Sequence, residues 1–161
     1  MELRSELESI LVSVSSEPVL ILPRANNIAE TLKTVAESLG FHFVHLSGSQ
    51  VADKDSLLEV LAEGLLFPSY FGQNWDALLD CMRDLEWIPA QGYIILYQNP
   101  GLLYQTAYDD LVTFLEIVIS ASEFWRETQV PFHLLLTEGK TLTKLQHDER
   151  IQDRVQVMDF G

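Results

Sequence analysis

The chain alternates short, wholly apolar runs with longer stretches in which apolar residues recur every three or four positions. The runs Pro18-Val-Leu-Ile-Leu-Pro23, Phe41-His-Phe-Val-His-Leu46, Tyr93-Ile-Ile-Leu-Tyr97 and Phe132-His-Leu-Leu-Leu136 are apolar on both faces of any extended segment, so they predict buried strands. Between them lie helical patterns. Ile28, Leu32, Val35, Ala36 and Leu39 share one face of a helix that Asn26 or Asn27 can cap and Gly40 can stop. Leu57, Leu58, Leu61, Ala62 and Leu65 line a second helix from about Asp53 to Leu66, with Pro68 as its stop. A third helix runs from about Asn74 to Leu85. After the turn signal Asn99-Pro100-Gly101, the spacing of Thr106 and Asp109 marks the start of a long helix reaching Arg126, with Tyr108, Leu111, Val112, Leu115, Val118 and Trp125 along its buried face.

Strands that alternate with helices and are apolar on both sides belong to a parallel sheet covered by helices, an α/β fold. All four strands are expected in one sheet. The N-terminus up to Ser16 is polar and charged and shows no apolar run of the length a signal peptide or spanning helix needs. Near the other end, Val155, Val157 and Phe160 suggest a final edge strand.

Charge changes the picture. The chain carries a net charge of −14. Phosphate binding relies on Lys and Arg, so nucleic acid is not expected as a direct ligand, and an acidic surface favours basic partners instead. The charge is concentrated: from Ala52 to Glu86, eight acids stand against Lys54 and Arg83, a local charge of −6. Cys81 is the single cysteine, which rules out an internal disulfide and fits a cytoplasmic setting.

The third helix is the place where this charge acquires a shape. Trp75, Leu78, Leu79, Met82 and Leu85 form an apolar face by their spacings of three and four. Asp76, Asp80 and Asp84 are each four apart and stack on another face. Such a row repels itself and weakens the helix slightly. It reads either as a solvated acidic face or as carboxylates set to mimic RNA phosphates.

The stretch Pro68-Ser-Tyr-Phe-Gly-Gln-Asn-Trp-Asp-Ala-Leu-Leu-Asp-Cys81 resembles the inhibitory loop and helix of the barstar family, with Pro68, Tyr70, Gly72, Asn74, Asp76, Ala77, Leu78, Asp80 and Cys81 in register. The resemblance extends more weakly from Phe41 to Thr137, through the order strand, helix, loop and helix, strand, long helix, strand. It implies a three-layer fold of parallel sheet flanked by helices. It divides the chain into an N-terminal strand–helix extension on the same sheet (1–40), a barstar-like core (41–137) and a C-terminal tail (138–161). It implies an immunity-type inhibitor of a basic, guanyl-type ribonuclease rather than an enzyme. In that resemblance Asp80 sits deepest among the enzyme's cations and Asp76 is a second anchor. Tyr70 packs its ring on the partner, with Phe71 beside it. Gly72 lets the loop turn closely, Asn74 caps the helix, and Glu123 stands nearest to an acid the family uses near the end of its long helix. Arg83 adds a cation that a basic partner resists unless it points away.

Other features carry no chemistry on this reading. Cys81 lies beside the apolar stripe as a small buried hydrophobe. His42, His45, His133 and His147 lack metal-ligand spacing, and no cofactor or metal is expected. Trp75, Trp87 and Trp125 are expected in the core. Gly-rich phosphate loops and G-x-S-x-G elbows are absent. Two alternatives remain: a small hydrolase binding a divalent metal through Asp76 and Asp80, and a regulatory module for another basic protein.

Overall fold

A computed structural model describes residues 2–23, 25–137 and 142–158 of the chain. The strands are β1 (Val19–Ile21), β2 (His42–Ser47), β3 (Tyr93–Gln98), β4 (Phe132–Leu136) and β5 (Val155–Val157). They form one parallel sheet in the order β2-β3-β4-β1-β5. The helices are α1 (Glu2–Leu11), α2 (Ile28–Leu39), α3 (Lys54–Gly64), α4 (Trp75–Asp84), α5 (Gly101–Thr106), α6 (Tyr108–Arg126) and α7 (Thr143–His147).

Strand residues alternate between faces, so both faces of an all-apolar strand need a cover. Ile21, Ile95, Tyr97 and Leu134 point to a core shared with α3, α4 and α6. Leu20, Ile94, Leu96 and Leu135 point the other way, to a second core closed by Leu7 and Leu11 of α1 and Ile28, Leu32 and Val35 of α2. The result is the three-layer α/β fold expected from the alternation of strands and helices. The four expected strands lie in one sheet, and Val155 and Val157 form the edge strand β5 beside β1; Phe160 lies outside the described residues.

The local detail departs from the sequence reading in several places. Helix α1 is an addition, and Leu3, Leu7, Ile10 and Leu11 give it an apolar stripe within a polar segment. Asn27 precedes α2 in a left-handed conformation and makes no side-chain cap, while Gly40 ends the helix at φ 72° with its N–H bonded to the Ala36 and Glu37 carbonyls. Helix α3 ends at Gly64, ahead of Pro68, and starts with a capping box between Asp53 and Ser56. Thr106 does not cap the long helix. Its hydroxyl donates to the Ala52 and Leu102 carbonyls and closes the short helix α5, which occupies the segment after Pro100.

His133 points from β4 toward the second core and is 2% exposed. Its Nδ1–H donates to the Glu17 carbonyl at 3.2 Å. Burial drives the imidazole down from the ordinary 6.5 to about 4, although the nearby carbonyls of Glu17, Ser13 and Leu11 favour the proton. The unfolded chain therefore accepts a proton near pH 6.5 that the fold refuses until about pH 4. Stability is full above pH 6.5 and falls as pH drops toward 4, by about 3 kcal/mol. Urea unfolding at pH 7 and about pH 4.5 should show a markedly smaller loss in His133→Gln than in the wild type. Equal losses would mean that His133 does not set this dependence.

Candidate functional site

Helix α4 starts where its sequence says it should. The Asn74 side chain accepts the Ala77 N–H at 2.8 Å, and its amide donates to the Gly72 carbonyl at 3.2 Å. One side chain thus satisfies an orphan N–H of the first turn and ties the preceding loop to the helix. Leu66 (φ 53°) and Gln73 (φ 52°) bracket that loop in left-handed conformations that non-glycine residues adopt at a cost. The packing that holds them there is visible. The Phe67 and Phe71 rings lie 4.8 Å apart, Phe67 meets Trp87 edge-on, and the Trp87 indole donates to the Leu65 carbonyl at 2.9 Å. Phe71 is half-buried in this cluster. Gly72 is exposed, and a Cβ there would lie 3.3 Å from the Asn74 amide nitrogen, so a side chain would crowd the capping residue.

On α4 itself, Leu78, Cys81 and Met82 are buried, while Asp76, Asp80 and Asp84 are exposed. No ion pair among the described residues involves these three carboxylates. The half-buried Arg83 does not neutralise the row: its Nε is buried without a partner, and it forms no described ion pair with Asp80 or Asp84. Its place in the last turn suits a cation at the negative end of the helix. Tyr70 is 70% exposed. Partial desolvation pushes its phenol up, and the carboxylates of Asp84 and Glu86 push it further. Burial pushes the Cys81 thiol up, and Asp84 and Asp80 push it further, away from a reactive thiolate. Among the described residues no group of three His, Cys, Asp or Glu side chains is arranged to hold a metal.

The long helix α6 packs along α4, and the Trp125 indole donates to the Met82 carbonyl at 2.8 Å. Glu123 lies on another side of α6, where its carboxylate accepts from Arg154, a residue that also reaches Glu17 at 3.3 Å. Six of the residues singled out in the sequence, Tyr70, Phe71, Gly72, Asn74, Asp76 and Asp80, therefore come together on one loop and helix; Glu123 stands apart from them. The sequence reading missed how the site is held. Trp87 and Trp125 are not merely core residues but donors to the carbonyls of Leu65 and Met82, and Gln73 is the left-handed hinge before the cap. No local pattern announces such bonds, since each joins positions far apart in sequence.

Solved structures of similar fold include the ORC2 protein of Aeropyrum pernix in ADPNP–ADP complexes (TM-score 0.68) and in its ADP form (TM-score 0.66), each 12% identical. They align with 97% and 98% of this chain but 46% of their own, so the chain spans about half their length. At that identity the likeness is one of fold. No curated protein matches the sequence. Residues 41–137, which hold strands β2 to β4 and the capped acidic helix with its loop, match the Barstar (barnase inhibitor) family, and the chain belongs to that family.

Proposed function

We propose that this protein inhibits a guanyl-type ribonuclease by inserting the loop 68–73 and helix α4 into the enzyme's cationic active site. The observation that carries this reading is a row of three exposed carboxylates, without ion-pair partners among the described residues, held on a capped helix. A ribonuclease gathers positive groups and hydrogen-bond donors around a scissile phosphate. Carboxylates on a rigid helix satisfy those donors and offer no bond to cleave. Holding them in place before contact lowers the ordering cost of binding.

In this reading Asp80 and Asp76 meet the enzyme's cations, Tyr70 packs its ring against it, and Gly72 permits close approach of the loop. Phe71 and Asn74 serve by holding that loop. Glu123 is assigned to the ion pair with Arg154. An immunity-type role and a cytoplasmic location belong to the same proposal; no helix among the described residues is long and apolar enough to cross a membrane.

The competing readings have less behind them. A metal shared by Asp76 and Asp80 finds no third ligand among the described residues. A nucleotide site of the kind named for the ORC2 structures would fall at the turn after β1. There the sequence Pro23-Arg-Ala-Asn-Asn27 supplies neither glycine nor lysine for a phosphate. The direct experiment is calorimetric titration against barnase together with an RNA-cleavage assay. A one-to-one complex and loss of cleavage are expected. Absence of binding, or heat only with Mg²⁺ or Mn²⁺ in place of the enzyme, would overturn the proposal.

A further inference from the structure

Two aromatic side chains are exposed among the described residues, Tyr70 at 70% and Phe124 at 42%. An isolated exposed apolar side chain is ordinary on any protein surface and needs no explanation. Here the two come from different elements that adjoin α4: the loop that precedes it and α6, which packs along it. Tyr70 sits on the loop before α4, near enough to Asp84 for that carboxylate to push its phenol up. Phe124 sits on α6, and its position around that helix can be worked out from its neighbours.

Successive helical residues are about 100° apart, so Glu123, Phe124 and Trp125 face three different directions. Glu123 is turned to Arg154, which precedes edge strand β5. Ser122 and Arg126 are on that side too, lining a small cavity with Val14 and Pro18 of the segment before β1. Trp125 turns inward, toward Tyr93 and the Met82 carbonyl of α4. Phe124 lies on the remaining flank, in line with the buried Ile117 and Ala121, seven and three positions earlier. The β5 flank of α6 is taken by Arg154 and the N-terminal segment, so this flank is the one along α4. The Phe124 ring stands edge-on to Trp125 at 5.5 Å.

Resting on the inhibitor reading above, we infer that Phe124, and not the acid beside it, is the contact that α6 adds to the ribonuclease-binding face. The face is then an acidic row with an aromatic ring supplied from each of two elements. Such a surface suits the rim of a cationic site. Guanidinium groups pair with the carboxylates, and their planes or the apolar stems of Arg and Lys lie on the rings. Aromatic anchors of this kind dominate interface energies, whereas an exposed carboxylate with a cation of its own has little to offer a partner.

The test is a set of variants titrated against barnase at low and high salt, with thermal melts alongside. Phe124→Ala should weaken binding by about tenfold or more, by the same factor at both salt concentrations, because an apolar contact is not screened. Phe124→Leu should retain part of the affinity. Phe124→Glu should bind no better than Phe124→Ala, although it adds the charge sign that a basic enzyme favours. Glu123→Gln should stay within about twofold of wild type. Melting temperatures of the Phe124 variants should match the wild type because the ring is exposed. If Phe124→Ala binds like wild type or Phe124→Glu binds tighter, while Asp80→Ala still loses affinity, the inference fails and the inhibitor reading stands. If wild type does not bind barnase, both fall.

Discussion

Asp80→Ala should cost about 2–5 kcal/mol of binding to a guanyl-type ribonuclease, mostly through faster dissociation, while leaving the fold intact. The carboxylate is exposed in the middle of the row and has no described ion-pair partner within the chain. The free protein therefore loses little when it is removed, and relief of repulsion from Asp76 and Asp84 offsets part of that. The complex loses much more, because the enzyme's desolvated cations are left without a counter-charge. Glu63→Ala is the control. Glu63 is exposed on α3, outside the loop and α4, so its removal should mainly slow association and flatten the salt dependence. Titrations at two salt concentrations with parallel melts separate the two effects. Equal affinities for the two variants would refute the phosphate-mimic mechanism.

A fragment of residues 41–137, the part that matches the family, should fail to fold cooperatively. Its removal of residues 1–40 takes away Leu7, Leu11, Leu20, Leu22, Ile28, Leu32 and Val35, all 2% exposed or less. It also uncovers Ile94, Leu96 and Leu135 and leaves β4 without the strand that pairs with Leu134, Leu135 and Leu136. At roughly 1.5–3 kcal/mol for each buried aliphatic side chain, the burial lost is as large as the net stability of about 5–15 kcal/mol typical of a domain. Circular dichroism melts and urea titration of the fragment beside the full chain provide the measurement. A sharp two-state transition in the fragment would show that the family core closes its second face by some other means.

The register of the acid row was legible because it depends only on helix periodicity: residues four apart lie one above another in any α-helix. The Asn74 cap and the buried place of Cys81 were legible for the same reason, since a cap and an apolar stripe are local. Thr106 shows the limit of such reading. Its spacing to Asp109 satisfied a capping pattern, yet the Ala52 carbonyl, far away in sequence, claimed its hydroxyl. Helix α1 was overlooked because its charged residues hid an apolar stripe whose partners, on α2 and the sheet, are remote in sequence.

By itself the sequence determined the strands and the helices α2, α3, α4 and α6, that the sheet is parallel and covered on both faces, and that three aspartates share one side of α4. Periodicity and burial are properties of short windows, and they carry those conclusions without knowledge of neighbours. The tertiary structure decided the rest. The insertion of β1 between β4 and β5 depends on which edges are open once the other strands have paired. The aim of α4 depends on indole bonds from Trp87 to Leu65 and from Trp125 to Met82, each joining different elements. That Glu123 turns to Arg154 while Phe124 stays exposed depends on a rotation about the axis of α6, set by packing on the sheet and by no feature of the helix's own sequence.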